Sequence, residues 1–280
     1  MSNKLIITAA IVGSLPTKEK TPYVPITADE MAADAKACYE AGASVIHVHG
    51  RDEQQKSTHK YEVFKEIHDK IKAACPELIV QISTGGRAGL GYESRAQGLW
   101  IEPEMASLTT GSINFPGMAN SVYENSPTLI DQLAIDMRDK AICPELEIFD
   151  ASMISPAISL KTRGLLNFPM YFNFVMGLEQ IQPASFNQLS LLLNTIPRDC
   201  HWNISGVGRT QIWTTYMGIA LGGHVRVGLE DNIYYHKGQL ATNAQLVERA
   251  ARLARDFGRT VATPDEARKI LGITKKTEFK

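Results

Sequence analysis

A strand-length apolar run followed by a polar loop and an amphipathic stretch recurs along this chain, and that alternation constrains the fold more than any other feature. Leu5 to Val12 forms the first buried-strand candidate, closed by Gly13. Thr27 to Glu40 follows as an amphipathic helix, with Thr27 as its cap and Glu30 in capping-box position. Ser44 to His49 is the second strand. A polar loop through Gln54, Gln55 and Lys56 then leads to a helix from about Tyr61 to Ala74, stopped before Pro76. Leu78 to Ser83, Met105 to Thr109, Leu146 to Phe149, Met170 to Phe174, His201 to Ile204 and Val225 to Leu229 supply six more strands. A repeated βα pattern implies parallel strands, and eight units in 280 residues favour a closed (β/α)8 barrel over an open doubly wound sheet.

Composition sets the boundaries of this reading. With 44% hydrophobic residues the chain can bury a large core, and residues 1–280 are expected to form one α/β barrel domain, with 275–280 as a solvated tail. Lys plus Arg number 29 against 30 Asp plus Glu, so no global field recruits nucleic acid or an anionic membrane. Cys38, Cys75, Cys143 and Cys200 lie far apart without a CxxC pair, which argues against a disulfide framework and against a cysteine-based zinc site. No apolar stretch approaches a membrane span, and the expectation is a soluble cytoplasmic protein with reduced thiols.

His47-Val48-His49, at the end of the second strand, is the most informative chemical motif. Successive strand residues face opposite sides, so the two imidazoles share one face and can converge on a metal. A third ligand would come from elsewhere, and the stretch Arg226 to Asn232, with Glu230 and Asp231 after a short apolar run, is a plausible donor. The duller alternative is a pair of histidines facing a polar surface or hydrogen-bonded in a core. The barrel favours the metal, because active sites in this fold sit at the C-terminal strand ends, where the unusual residues gather. Ser83-Thr84-Gly85-Gly86 ends strand three, Ser112-Ile113-Asn114 follows strand four, Glu147 lies on strand five, and Arg226, Glu230 and Asp231 lie on or just after strand eight. Ser83 to Gly86 also reads as an ordinary strand-ending turn. Gly206-Val207-Gly208-Arg209 is either a phosphate-binding loop or a turn entering a helix at Thr210, and Trp202, Trp213 and Tyr216 read as packing residues.

The motifs together resemble the β-keto acid cleavage enzymes. They are Thr8 to Ile11, Val45 to His49, Gln81 to Gly86, Pro103 to Leu108, Gly111 to Phe115, Gly222 to Asn232, Ala244 to Val247 and Ala262 to Pro264, which cover nearly the whole chain in order. The resemblance implies a zinc-dependent, homo-oligomeric barrel, a tetramer by analogy, that exchanges acyl groups between a β-keto acid and acetyl-CoA to give acetoacetate and a new acyl-CoA. It implies that His47, His49 and Glu230 hold the metal while Ser83, Gly86, Ser112, Asn114, Glu147, Arg226 and Asp231 surround the substrate. Ser112 stands where the best-known member has threonine, which keeps the hydroxyl. That member has a glutamate where Leu15 stands, suited to a substrate ammonium group. Leu15 therefore points to a 3-keto acid with an uncharged tail.

The chemistry is consistent with these roles. A 3-keto carboxylate presents two oxygens spaced to chelate a cation, and polarising the keto oxygen acidifies C2. Asp231 is the expected base, since Glu230 is needed as a ligand. Arg226 pairs with Asp231 or holds a carboxylate, and the turn from Ser83 through Thr84, Gly85 and Gly86 is expected to bind substrate carboxylate or an oxyanion. Two other classes remain: a metal-dependent lyase or aldolase using the same stabilised enolate without coenzyme A, and a non-catalytic metabolite-binding barrel.

Overall fold

A computed structural model describes residues 3–86, 88–115 and 122–274, so Arg87 and the expected tail at 275–280 lie outside the described residues. Eight parallel strands close on one another in chain order. They are β1 (Ile7–Ala10), β2 (Val45–Val48), β3 (Ile79–Ile82), β4 (Met105–Thr109), β5 (Cys143–Ile148), β6 (Tyr171–Met176), β7 (His201–Gly206) and β8 (His224–Val227). Closure comes from β8 against β1, where Val225 pairs with Ile7 and Arg226 with Thr8. Around them run α1 (Ala28–Ala41), α2 (Tyr61–Ala74), α3 (Tyr92–Arg95), α4 (Pro127–Asp139), α5 (Ile154–Thr162), α6 (Phe186–Thr195), α7 (Gln211–Ala220), α8 (Asn243–Asp256) and α9 (Pro264–Leu271). The expected (β/α)8 barrel is the fold observed.

Period-two alternation explains both surfaces of the barrel wall. Ile46 and Val48, Val80 and Ile82, Ala106 and Leu108, Leu146 and Ile148, and Phe172 and Phe174 join one large core with helix residues such as Phe64, Ile67 and Ile71 of α2. The alternate residues point into the lumen. At the N-terminal end these are apolar: Ile6, Val45, Ile79, Met105, Cys143 and Tyr171 pack with Ala267 and Leu271 of α9. One step along the strands the lumen turns polar, with Thr8, His47, Gln81, Ser107, Glu145, Asn173, Asn203 and Arg226 all buried. Glu145 accepts from Asn203 Nδ2 at 2.6 Å and from Asn173 Nδ2 at 3.3 Å, and burial pushes its carboxyl up to about 7.

The local signals act as expected at α1 and α2. Thr27 and Glu30 form the reciprocal capping box, and α2 spans Tyr61 to Ala74. The first strand differs. Lys4–Leu5 pairs with Thr260–Val261 and the barrel strand begins at Ile7, because the Ile6 amide donates to His224 Nδ1 and leaves the ladder. The expected end of β8 at Leu229 moves back to Val227, since Gly228 adopts φ +143. Strand β5 begins earlier than Leu146, with Pro144 inside it. Trp202 packs against the core as expected, 6.0 Å between ring centroids from Phe174, whereas Trp213 and Tyr216 stand exposed on α7. All four cysteines are free, and among the described residues no helix is long and apolar enough to cross a membrane.

Candidate active site

The end of β2 delivers His47 and His49 to the lumen, and the turn after β8 brings Glu230 to meet them; one ligand atom from each lies within 4.8 Å of the others. His47 Nδ1 lies 2.7 Å from Gln81 Oε1, so the Nδ1 proton donates to the amide and Nε2 presents its lone pair to the cluster. That nitrogen is 3.6 Å from Glu230 Oε2, and neither atom has a hydrogen-bond partner. His49 Nε2 stands 3.3 Å from Glu230 Oε1. Burial drives His47 down to about 3 against the pull of Glu230, which keeps the imidazole neutral. Burial alone would raise Glu230, but Arg226, His49 and His47 hold it well below the usual carboxylate range. Two buried acceptors facing each other without a proton between them are costly, and a cation placed there satisfies both. The donor set fits a divalent metal. Gly13 makes room for the Glu230 side chain, with φ +59 and a position where a Cβ would lie 2.6 Å from Glu230 Cγ.

Arg226 organises the rest. It is 3% exposed and its guanidinium is shared among three carboxylates. Nε and Nη2 fork Asp231 at 3.0 Å each, Nη2 reaches Glu230 at 2.6 Å, and Nη1 reaches Glu147 at 3.3 Å. One positive charge against three negative ones leaves a formal excess of −2. Burial and the Glu230 charge push Asp231 up to about 6 in spite of Arg226, and burial raises Glu147 as well. The Asp231 backbone is fixed separately, by the Gly208 amide donating to its carbonyl at 2.7 Å. The Gly206–Arg209 segment forms a turn into the helical region that begins at Gly208.

The remaining expected residues lie at different depths. Ser83 is buried, its amide donating to the Val48 carbonyl at 3.0 Å and its Oγ accepting from the Gly85 amide at 3.1 Å, and the Gly85 carbonyl accepts from His59 Nε2 at 2.7 Å. Gly86 packs against Arg95, whose Cδ would lie 2.8 Å from a Cβ there. Thr84 is placed in the wall: its hydroxyl donates to the Ser107 carbonyl at 2.7 Å and its amide to Ser107 Oγ at 3.2 Å. Ser112 is on the rim, where its Oγ accepts from the Asn125 amide at 2.7 Å and lines a groove of about 670 Å³ shared with α4 and α5. Asn114 is exposed on a short ribbon that pairs Ile113–Asn114 with Val122–Tyr123. Leu15 is 40% exposed in the loop after β1. Buried Arg51 fastens that loop, donating from Nη1 to the Gly13 carbonyl at 2.7 Å and from Nη2 to the Pro16 carbonyl at 2.8 Å, with Nε on the Gln55 carbonyl at 2.8 Å.

Sequence reading missed Gln81, Thr109, Tyr123, Arg51 and Arg95. Gln81 was within reach, because it shares a strand face with Ser83 in the strand beside His47.

The chain is similar to several known proteins. A family model described as beta-keto acid cleavage enzyme matches residues 4–273. The chain is 47% identical over 273 residues to a 3-keto-5-aminohexanoate cleavage enzyme of Acetoanaerobium sticklandii, covering 97% of this chain and 99% of the relative. It is 41% identical over 277 residues to a 3-oxoadipate:acetyl-CoA acetyltransferase of Cupriavidus necator, covering 98% and 96%. A solved binary complex of ObcA with oxaloacetate superposes with a TM-score of 0.78 at 20% identity, over 91% of this chain and 68% of that one, which speaks for the fold.

Proposed function

The chain belongs to the β-keto acid cleavage enzyme family, and from that premise we propose that it converts a 3-keto acid and acetyl-CoA into acetoacetate and a new acyl-CoA. The observation that carries this reading is the His47, His49 and Glu230 donor set with Asp231 directly beside it, both gripped by Arg226. A divalent metal, zinc by the character of two imidazoles and a carboxylate, would be held by His47, His49 and Glu230 and would supply Lewis-acid polarisation of the substrate's 3-keto oxygen. Asp231 takes the proton from substrate C2. Its raised pKa suits a base that must also give the proton up again. Arg226 keeps the Asp231 carboxylate aimed while its third nitrogen restrains Glu147 at the lumen wall. Ser83 and Gly86, on the turn after β3, hold the substrate carboxylate.

Leu15 faces the substrate tail in this reading and selects an uncharged one. Sequence identity alone does not choose the tail, because the relatives at 47% and 41% identity are named for an amino substrate and a dicarboxylic one. A cytoplasmic homo-oligomer, tetrameric by family analogy, completes the proposal.

The test is to incubate zinc-loaded protein with a panel of 3-keto acids and acetyl-CoA, and to follow acetoacetate and new acyl-CoA by mass spectrometry. Acetoacetate and acyl-CoA in equal amounts is the expected result. Cleavage that proceeds without acetyl-CoA would replace the proposal with a lyase, and no turnover of any 3-keto acid would end it. Wild-type protein should hold one zinc per chain, and His47→Ala/His49→Ala should hold none; undiminished metal in that variant places the ion elsewhere.

A further inference from the structure

The ribbon of Ile113–Asn114 and Val122–Tyr123 sends the Tyr123 side chain down into the barrel mouth. The Tyr123 hydroxyl lies 2.8 Å from Thr109 Oγ1, and Thr109 Oγ1 donates to Glu147 Oε2 at 2.8 Å. A threonine hydroxyl has one proton. With that proton given to Glu147, the Tyr123 O–H has to donate to Thr109, which fixes the direction of a three-member relay. The second Glu147 oxygen is taken by Arg226 Nη1. Glu147 is therefore held from two sides, by the arginine that carries Asp231 and by a tyrosine that reaches in from the rim.

The Tyr123 ring is held without help from its hydroxyl. It meets Phe149 edge-on with centroids 5.6 Å apart, and the Arg95 guanidinium lies 5.8 Å from its centroid. Arg95 ties the ribbon's return to the turn after β3: Nε donates to the Thr84 carbonyl at 2.6 Å, Nη1 to the Glu124 carbonyl at 2.7 Å and Nη2 to Asn125 Oδ1 at 2.7 Å. The hydroxyl itself sits over Gly85, where a Cβ would come within 2.9 Å of it and 3.3 Å of Ser83 Oγ. Glycine at 85 thus lets the two hydroxyls border the same small space.

Resting on the acyl-exchange reading above, we propose that Tyr123 is a positioning residue for the reaction, orienting Glu147 through Thr109. The ribbon then sets the carboxylate geometry of the mouth and is more than a cover for it.

The test compares kcat, KM and Tm for wild type, Tyr123→Phe, Thr109→Ser, Thr109→Val and the Tyr123→Phe/Thr109→Val double variant, all zinc-loaded, using the best substrate of the panel. Tyr123→Phe should lower kcat about tenfold while KM changes less than about twofold, the size expected from one lost hydrogen bond acting on orientation. Tm should stay near wild type, because the ring contacts remain. Thr109→Val should lower kcat further, the double variant should be no slower than Thr109→Val, and Thr109→Ser should recover most of the rate. Unchanged kcat in Tyr123→Phe, or additive losses in the double variant, overturns the relay even if Thr109→Val fails to fold. A wild type that makes no acetoacetate overturns the acyl-exchange reading and the relay together, whereas an active wild type beside an equally active Tyr123→Phe overturns the relay alone.

Discussion

Two buried arginines sit at opposite ends of the barrel, and they keep different company. At the N-terminal end Arg268 of α9 grips Glu104, with Nε–Oε2 at 2.6 Å and Nη2–Oε1 at 2.9 Å, and reaches Asp265 at 2.9 Å. Lys72 adds a second cation to Glu104 at 3.4 Å. Two positive charges meet two negative ones. At the C-terminal end Arg226 is, among the described residues, the arginine that forms ion pairs with Glu147, Glu230 and Asp231. The charges of the lower group balance within these four residues. Among the described ion pairs the upper group is short of positive charge by two, the amount a divalent ion brings. Excess charge of this kind costs stability when the ion is absent; burial, with the neighbouring Glu230 charge adding to it, raises both the Asp231 and the Glu147 carboxyl.

The strongest challenge to this contrast is Asp231→Asn. Turnover should fall by on the order of 10²–10⁴-fold while bound zinc is retained, because a general base is lost and no ligand is removed. The metal-free variant should also melt at a higher temperature than metal-free wild type, since one surplus negative charge is gone. Isotope exchange at substrate C2 at the wild-type rate would assign the base elsewhere.

Arg268→Met probes the other end. It leaves Glu104 buried beside Lys72 alone, and stability in urea should drop by about 3–5 kcal/mol. The kcat of the folded fraction should stay at the wild-type value. A fall in kcat matching the fall in stability would show that the two ends are not separate.

Glu145 lies between the two ends, and its effect is a slope. Its carboxyl is raised to about 7 in the folded protein by burial, above its ordinary value of 4.5. Between those values the folded state holds the proton more tightly than the unfolded chain, so the Glu145 contribution to stability falls as pH rises through the window and is flat above it. Glu145→Gln removes that term. Wild-type stability minus variant stability should decline from pH 4.5 towards 7, as read by urea midpoints at several pH values, and a difference that rises with pH would contradict the assignment.

The smallest effect is expected at Leu15. Leu15→Glu should shift the ratio of kcat/KM from a neutral six-carbon 3-keto acid towards its 5-amino counterpart, with no change at either arginine cluster. A wild type that already prefers the amino acid would mean that another group supplies the charge.

How much of this was legible in the sequence depended on whether a residue sat on a regular element. His47 and His49 announced themselves because strand geometry dictates that alternate residues share a face, and Glu230 and Asp231 because they follow the last barrel strand. The same rule separates Thr84 from Ser83: adjacent residues leaving a strand diverge, and Thr84 went to the wall. Ser112 and Asn114 lie past the end of β4, where no period governs direction, and both ended on the rim. Tyr123 reaches the site through a ribbon with no sequence signature. Arg51 and Arg95 are charged residues that a composition-based reading leaves in solvent, yet each is buried because loop carbonyls satisfy its guanidinium.

Arg51 grips the loop after β1 only through main-chain oxygens, at Gly13 and Pro16, both of which are buried while Ser14 and Leu15 between them are exposed. Such a clasp is indifferent to what the two intervening side chains are. Residues 14 and 15 can therefore be exchanged like the bit of a screwdriver while the handle, the shaft and the grip stay the same.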